Sequence, residues 1–167
     1  MSDPYRHSIL PKTALGGWLA RLLDSYRLVG PVADTETVTS YRRLGPEPML
    51  RLSGPRPTVS PKAHLLPQTE SLFTFQGSGP ALALTAAEPD ATPTVVFGIR
   101  PCDARALRRL DDVFLERAER DVHYDQRRRA TLLVVVHVPL GRGCFCTSVG
   151  GSPAGPEGLD LLLTDLG

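Results

Sequence analysis

Apolar and polar positions change period several times along the chain, and each change marks a different kind of element. From Thr13 to Leu28, Leu15, Trp18, Leu19, Leu22, Leu23 and Tyr26 recur at spacings of three and four. That spacing puts them on one stripe of a helix, predicted to run to Leu28 and to be closed by Gly30-Pro31. Between Pro31 and Pro67 the pattern is broken by prolines at 31, 46, 48, 55, 57, 61 and 67. Only Thr35 to Leu44 alternates, so this stretch predicts loops around one or two edge strands. Ala81-Leu82-Ala83-Leu84 alternates again and predicts a strand or turn ahead of the main element.

The best-organised part is Thr94 to Val138. Thr94-Val95-Val96-Phe97-Gly98-Ile99 is an apolar, largely β-branched run, as expected of a strand buried on both faces of a parallel sheet. A helix is predicted next, capped by Asp103, with Leu107, Leu110, Val113 and Phe114 at helical spacing through Glu116. Arg108, Arg109, Asp111, Asp112 and Arg117 form its wet face. Glu119 to Arg129 reads as a polar connection, with Arg127-Arg128-Arg129 as a solvated turn. Thr131 to Val136 is a second buried-strand signature, which makes the two strands parallel neighbours in a βαβ unit over 94–138. Leu159 to Leu166 predicts one more strand, alone or entering a helix. The fold class is α/β, with a mainly parallel sheet, an N-terminal helical segment over 1–30, and an α/β domain over 31–167 that opens with a proline-rich loop region.

Composition narrows the function. The 167 residues carry Lys+Arg 19 against Asp+Glu 18, a net charge of +1, so no whole-chain field recruits nucleic acid. The longest apolar run, Thr131 to Leu140, contains His137 and Pro139 and is too short to span a membrane. Residues 1–10 lack the apolar core of a secretory signal, and cytoplasm is the expectation. Three cysteines, two of them one residue apart, make a poor disulfide framework and a better start on a metal site or a reactive thiol.

Topology brings these cysteines together. In a parallel sheet the loops leaving the carboxyl ends of the strands share one edge, where helix N-termini also point. Cys102 lies after the first buried strand, His137 near the end of the second, and Cys144 and Cys146 in the glycine-rich loop that follows. Three thiols and one imidazole suffice for a tetrahedral metal or an iron–sulfur cluster. The helix N-terminus beside Asp103 favours the Cys102 thiolate. Arg100 and Arg142 are placed to offset the negative charge of such a group. Two other readings stay open: ordinary buried cysteines with an interior His137, and a thiol nucleophile, Cys102 activated by His137, for which nothing marks an oxyanion hole. A G-x-G-x-x-G fingerprint is missing after the first strand, which disfavours the usual nicotinamide site.

At these residues the chain resembles a known family. Pro67 to Phe75, Phe97 to Ala106, Cys144 to Gly150 and Asp160 to Gly167 occur in the order found in the N-terminal half of iron–sulfur electron-transfer subunits. These are the beta subunits of sulfhydrogenases and the A subunits of anaerobic sulfite reductases, and the resemblance runs from about Gly30 to Gly167. It implies a four-iron cluster held by Cys102, His137, Cys144 and Cys146, with Arg100, Asp103 and Arg142 as its neighbours. His137 stands where members of the family more often place a cysteine, so it is either a substitute ligand or the mark of a lost site. A neutral imidazole in place of a thiolate removes a negative charge and raises a cluster's reduction potential.

The resemblance further implies an electron-transfer module of a multi-subunit hydrogenase-like or sulfite-reductase-like oxidoreductase, not a stand-alone catalyst. Its partners would be a flavin- or NAD(P)-binding subunit, a catalytic subunit and a ferredoxin-like domain. Relatives continue into that ferredoxin-like part, whose two four-iron clusters have no ligands in this chain, so the expectation is truncation ahead of it, or a separate polypeptide that supplies it. The competing reading is a metal-free docking scaffold that contacts a redox subunit through Pro67 to Phe75. Phe73 and Phe75 are expected in the core.

Overall fold

A computed structural model describes residues 5–46, 50–53, 56–141 and 143–167. Its centre is a five-stranded sheet of β1 (Arg27–Ala33), β2 (Thr39–Arg43), β5 (Thr94–Ile99), β6 (Thr131–Val136) and β7 (Leu161–Leu163), in the order β2-β1-β5-β6-β7. β1, β5, β6 and β7 are parallel, and only the edge strand β2 runs antiparallel. Helix α1 (Leu15–Leu23) covers one face, while α2 (Pro101–Phe114) and α3 (Val122–Arg129) cover the other. The fold is therefore α/β with a mostly parallel sheet. A separate hairpin pairs β3 (Phe73–Gln76) with β4 (Ala83–Ala86). Among the described residues no helix is long and apolar enough to cross a membrane.

The N-terminal helix is shorter than its stripe suggested. It ends at Leu23, and Gly30-Pro31 lies inside β1 instead of closing the helix. Leu28 and Val29 are buried on opposite faces of the sheet, an alternation that a helix cannot supply. Pro31 is tolerated because the β1–β5 pairing stops at Val29, so the missing amide costs no parallel ladder bond. The stripe itself still packs: Leu15, Trp18 and Leu22 sit against Leu28, Val95 and Phe97, with the Trp18 ring edge-on to Phe97 at 5.7 Å.

Several readings of the middle of the chain need correction. Arg100, not Asp103, occupies the N-cap of α2, with Pro101 in the first turn where its missing N–H is harmless. Asp103 lies within the first turn, where its charge faces the positive helix end. Asp111 belongs to the buried side of α2 rather than the wet face. Its carboxylate accepts from Tyr124 Oη at 2.7 Å and from Arg128 Nε at 3.1 Å.

The polar connection contains a helix, α3, whose start is capped by Asp121 accepting from the Tyr124 amide at 2.7 Å. The three arginines form its last turn, complementing the negative helix end, and they are not all solvated. Arg127 is 8% exposed. Its Nη1 donates to Glu70 at 2.6 Å and its Nε to the Leu65 carbonyl at 2.8 Å. Charge pairing therefore does for α3 what an apolar stripe does for α1.

Phe73 and Phe75 are not core residues. They project from the hairpin at 60% and 73% exposure, on the same face as Leu84.

A bulge in β5 decides how the chain enters the site. Phe97 pairs with Val134 and Ile99 with Val135, leaving Gly98 as an extra residue. Gly98 has φ +73°, and a Cβ there would lie 2.8 Å from the Leu52 side chain and 3.0 Å from Pro31 Cδ. The extra residue flips the facing of β5. Phe97 packs on the α1 side, while Ile99, two residues on, packs on the α2 side with Val96. Without the bulge Ile99 would share the face of Phe97.

Candidate functional site

The bulged end of β5 leads through Arg100 directly into α2, so Cys102 stands in the first turn of that helix at the carboxyl edge of the sheet. β6 ends at Val136 and continues into the loop that carries Cys144 and Cys146, before a short 3-10 turn at Thr147–Val149. The two segments face each other across a cavity of about 440 Å³, walled by Cys102, Cys144 and Cys146 and by Arg56, Arg100 and Arg105. Arg109 reaches the same wall, and Leu140 and Phe145 supply an apolar rim. The convergence of the thiols expected from topology is thus present.

The loop is anchored on both sides. Arg56 Nη2 donates to Cys144 Sγ at 3.0 Å, and the Gly141 amide donates to the same sulfur at 3.2 Å. The Cys144 amide in turn donates to the Gly141 carbonyl at 3.1 Å, closing a tight turn. Farther along, Arg105 Nη1 donates to the Val149 carbonyl at 3.0 Å. A Cβ on Gly151 would lie 2.7 Å from that guanidinium and 3.0 Å from the Cys146 carbonyl oxygen, so the close approach depends on glycine here.

The electrostatics differ from the simple helix-terminus expectation at Cys102. Burial pushes its thiol pKa up, and the neighbouring Asp103 carboxylate pushes it further, against a smaller opposing effect of Arg100. The backbone amides of the helix start lower that pKa by less than burial raises it. Burial also raises the pKa of Asp103, while the charges of Arg100 and Arg56 draw it down.

His137 is placed differently from the cysteines. Its amide donates to the Leu163 carbonyl at 2.8 Å, extending the β6–β7 ladder by one residue. The next residue, Val138, lines the cavity, whereas His137 does not. Among the described residues no three His, Cys, Asp or Glu side chains are gathered closely enough for a single metal ion. Arg142, expected beside the cluster, lies outside the described residues. The sequence reading missed Arg56, which stands between prolines in a stretch without periodic signal.

The donor chemistry can be tested against a thiolate-held cluster. Soft sulfur donors line the cavity, N–H groups point at Cys144 Sγ, and several guanidinium groups offset negative charge. These donor types are the ones such a cluster uses, and among the described residues they are not gathered closely enough to hold a single metal ion. A fourth protein ligand is not on the wall.

The fold and cavity define a class: an α/β domain that gathers cysteine thiols and arginines at the carboxyl edge of a mostly parallel sheet. The chain is similar to Sulfhydrogenase 2 subunit beta of Pyrococcus furiosus, with 27% identity over 146 residues, covering 87% of this chain and 41% of that protein. This likeness agrees with the motif blocks, and the chain spans less than half the length of the curated relative it matches. No family model and no solved structure matches it.

Proposed function

We propose that this chain is an electron-transfer module of a multi-subunit, hydrogenase-like oxidoreductase, and that its cavity holds an iron–sulfur cluster through Cys102, Cys144 and Cys146. The observation that supports this reading is that three cysteines, from two segments far apart in sequence, line one arginine-rich cavity. Similarity to a sulfhydrogenase beta subunit supports the same class of role. When bound, such a cluster accepts and releases single electrons.

The chain's own residues do the rest. The cysteine sulfurs fix the group's position, Arg56 and the Gly141 amide share the charge on one sulfur, and Arg100 and Arg105 offset charge across the cavity. His137 is not on the cavity wall, and its imidazole would have to reach the cavity to become the fourth ligand. The proposed setting is cytoplasmic, with a flavin- or NAD(P)-binding subunit, a catalytic subunit and a ferredoxin-like domain as partners. A sulfite-reductase-like assembly is the other arrangement within this reading.

The test is iron and acid-labile sulfide per chain after anaerobic reconstitution. About four of each are expected in the wild type. Cys102→Ser, Cys144→Ser and Cys146→Ser should each lower both, and His137→Ala reports whether the imidazole ligates. Wild-type values near zero overturn the reading. They would favour the second one, a metal-free docking scaffold, which the exposure of Phe73 and Phe75 supports.

A further inference from the structure

We propose that Arg56 is a positioning residue for the cysteine cavity: it holds the Cys144 sulfur against the Gly141 turn. The role goes beyond charge balance because of how the contacts are divided. Cys144 Sγ receives two N–H donors, Arg56 Nη2 at 3.0 Å and the Gly141 amide at 3.2 Å. The same guanidinium lies 3.8 Å from where a Cβ on Gly143 would stand. Arg56 also lines the cavity that Cys102, in the first turn of α2, lines from the other segment. Arg56 therefore lies between the two cysteine-bearing segments, on a stretch of chain that belongs to neither.

Two consequences follow from elementary chemistry. In the metal-free protein the guanidinium restrains the Gly141–Cys144 turn, so the sulfur faces the cavity before any ligand arrives. In the loaded protein, which rests on the cluster reading above, an N–H donor and a positive charge at a ligating sulfur favour the more negative, reduced state and raise the reduction potential.

The experiment compares wild type with Arg56→Met and Arg56→Lys. Amide hydrogen exchange on the metal-free chain is expected to become roughly tenfold faster around Gly141 and Cys144 in Arg56→Met, with the β5 and β6 amides unchanged. Arg56→Lys should recover part of this protection, because lysine keeps the charge and a donor but not the planar fork. In the reconstituted protein the midpoint potential is expected to fall in Arg56→Met and to return partway in Arg56→Lys. Unchanged exchange at Gly141 and Cys144 overturns the positioning role. Equal potentials in wild type and Arg56→Met overturn the electrostatic one. A wild-type chain that takes up no iron refutes the cluster reading alone, and the exchange result then decides the positioning role by itself.

Discussion

The hydroxyl of Tyr41 donates to the carbonyl oxygen of Gly98 at 3.1 Å, tying the antiparallel edge strand β2 to the bulge in β5. A bulge frees backbone groups from the ladder, and this bond satisfies one of them. Burial keeps the phenol protonated, with the Asp103 charge adding to the effect, so Tyr41 remains a donor throughout the physiological range. Tyr41→Phe is expected to cost about 1 kcal/mol in chemical denaturation. Gly98→Ala should cost more, roughly 2–3 kcal/mol, since it adds a side chain at positive φ against Leu52 and Pro31. A Gly98→Ala protein as stable as wild type would show that the bulge is not required.

The Glu70–Arg127 pair joins the chain ahead of the hairpin to α3. Arg127 Nη1 and Nη2 meet the two carboxylate oxygens at 2.6 and 3.2 Å, a two-point contact around a nearly buried guanidinium. Glu70→Ala leaves that charge without its partner and is expected to lower stability by about 2–3 kcal/mol, less than for a fully buried pair because Glu70 is partly exposed. Loss of under about 0.5 kcal/mol in a urea titration would show that solvent replaces the carboxylate.

Acid should weaken the fold through two groups whose pKa values are both held down. Hydrogen bonding to Arg127 holds the Glu70 carboxyl below its ordinary 4.5, and burial holds His64 below its ordinary 6.5. In both cases the unfolded chain takes up the proton first, so stability is lost as pH falls. The loss begins below about 6.5 through His64 and deepens below about 4.5 through Glu70. His64→Gln should flatten the upper part of a stability–pH curve and Glu70→Gln the lower part.

Thr39 offers a gain in stability. Its Oγ1 is buried and, among the described residues, has no hydrogen-bond partner. Thr39→Val keeps the β-branched shape while removing a desolvated hydroxyl, and is expected to raise stability by about 1 kcal/mol. A lower melting temperature for the valine variant would reveal a partner for that hydroxyl.

The hairpin should behave as a surface. Phe75→Thr and Leu84→Thr are expected to change stability by no more than about 0.5 kcal/mol, because neither side chain is packed. They should also reduce self-association in sedimentation at high concentration, since they remove exposed apolar area. A large loss of stability would mean that the hairpin face is covered by this chain in solution.

Much of the sheet was legible because its strands are buried on both faces. The Thr94–Ile99 and Thr131–Val136 runs are strands with those bounds, and Leu159 to Leu166 contains β7. Convergence of the cysteines was legible for the same reason, since parallel pairing forces both loops to one edge. What escaped lacks an apolar period. Helix α3 is held by Asp121, Arg127 and Arg128 through specific polar contacts, with Tyr124 as its fully buried side chain. The glycine inside the β5 run was a bulge signal, but its neighbours read as an uninterrupted strand. Arg56 gave no sign at all, because one arginine between two prolines has neither period nor motif.

The division of the thiols between two loops makes the cavity a gauge of completed folding. Cys102 follows β5, whereas Cys144 and Cys146 follow β6, and two helices lie between. Local helix formation cannot bring these sulfurs together; only the pairing of β5 with β6 does so. Such parallel pairing closes a long stretch of chain and is among the slower events in folding. A nascent or misregistered chain therefore presents its cysteines singly, and only a finished sheet presents them as a set. Whatever the cavity receives, the order of events is built into the topology: architecture first, cargo second.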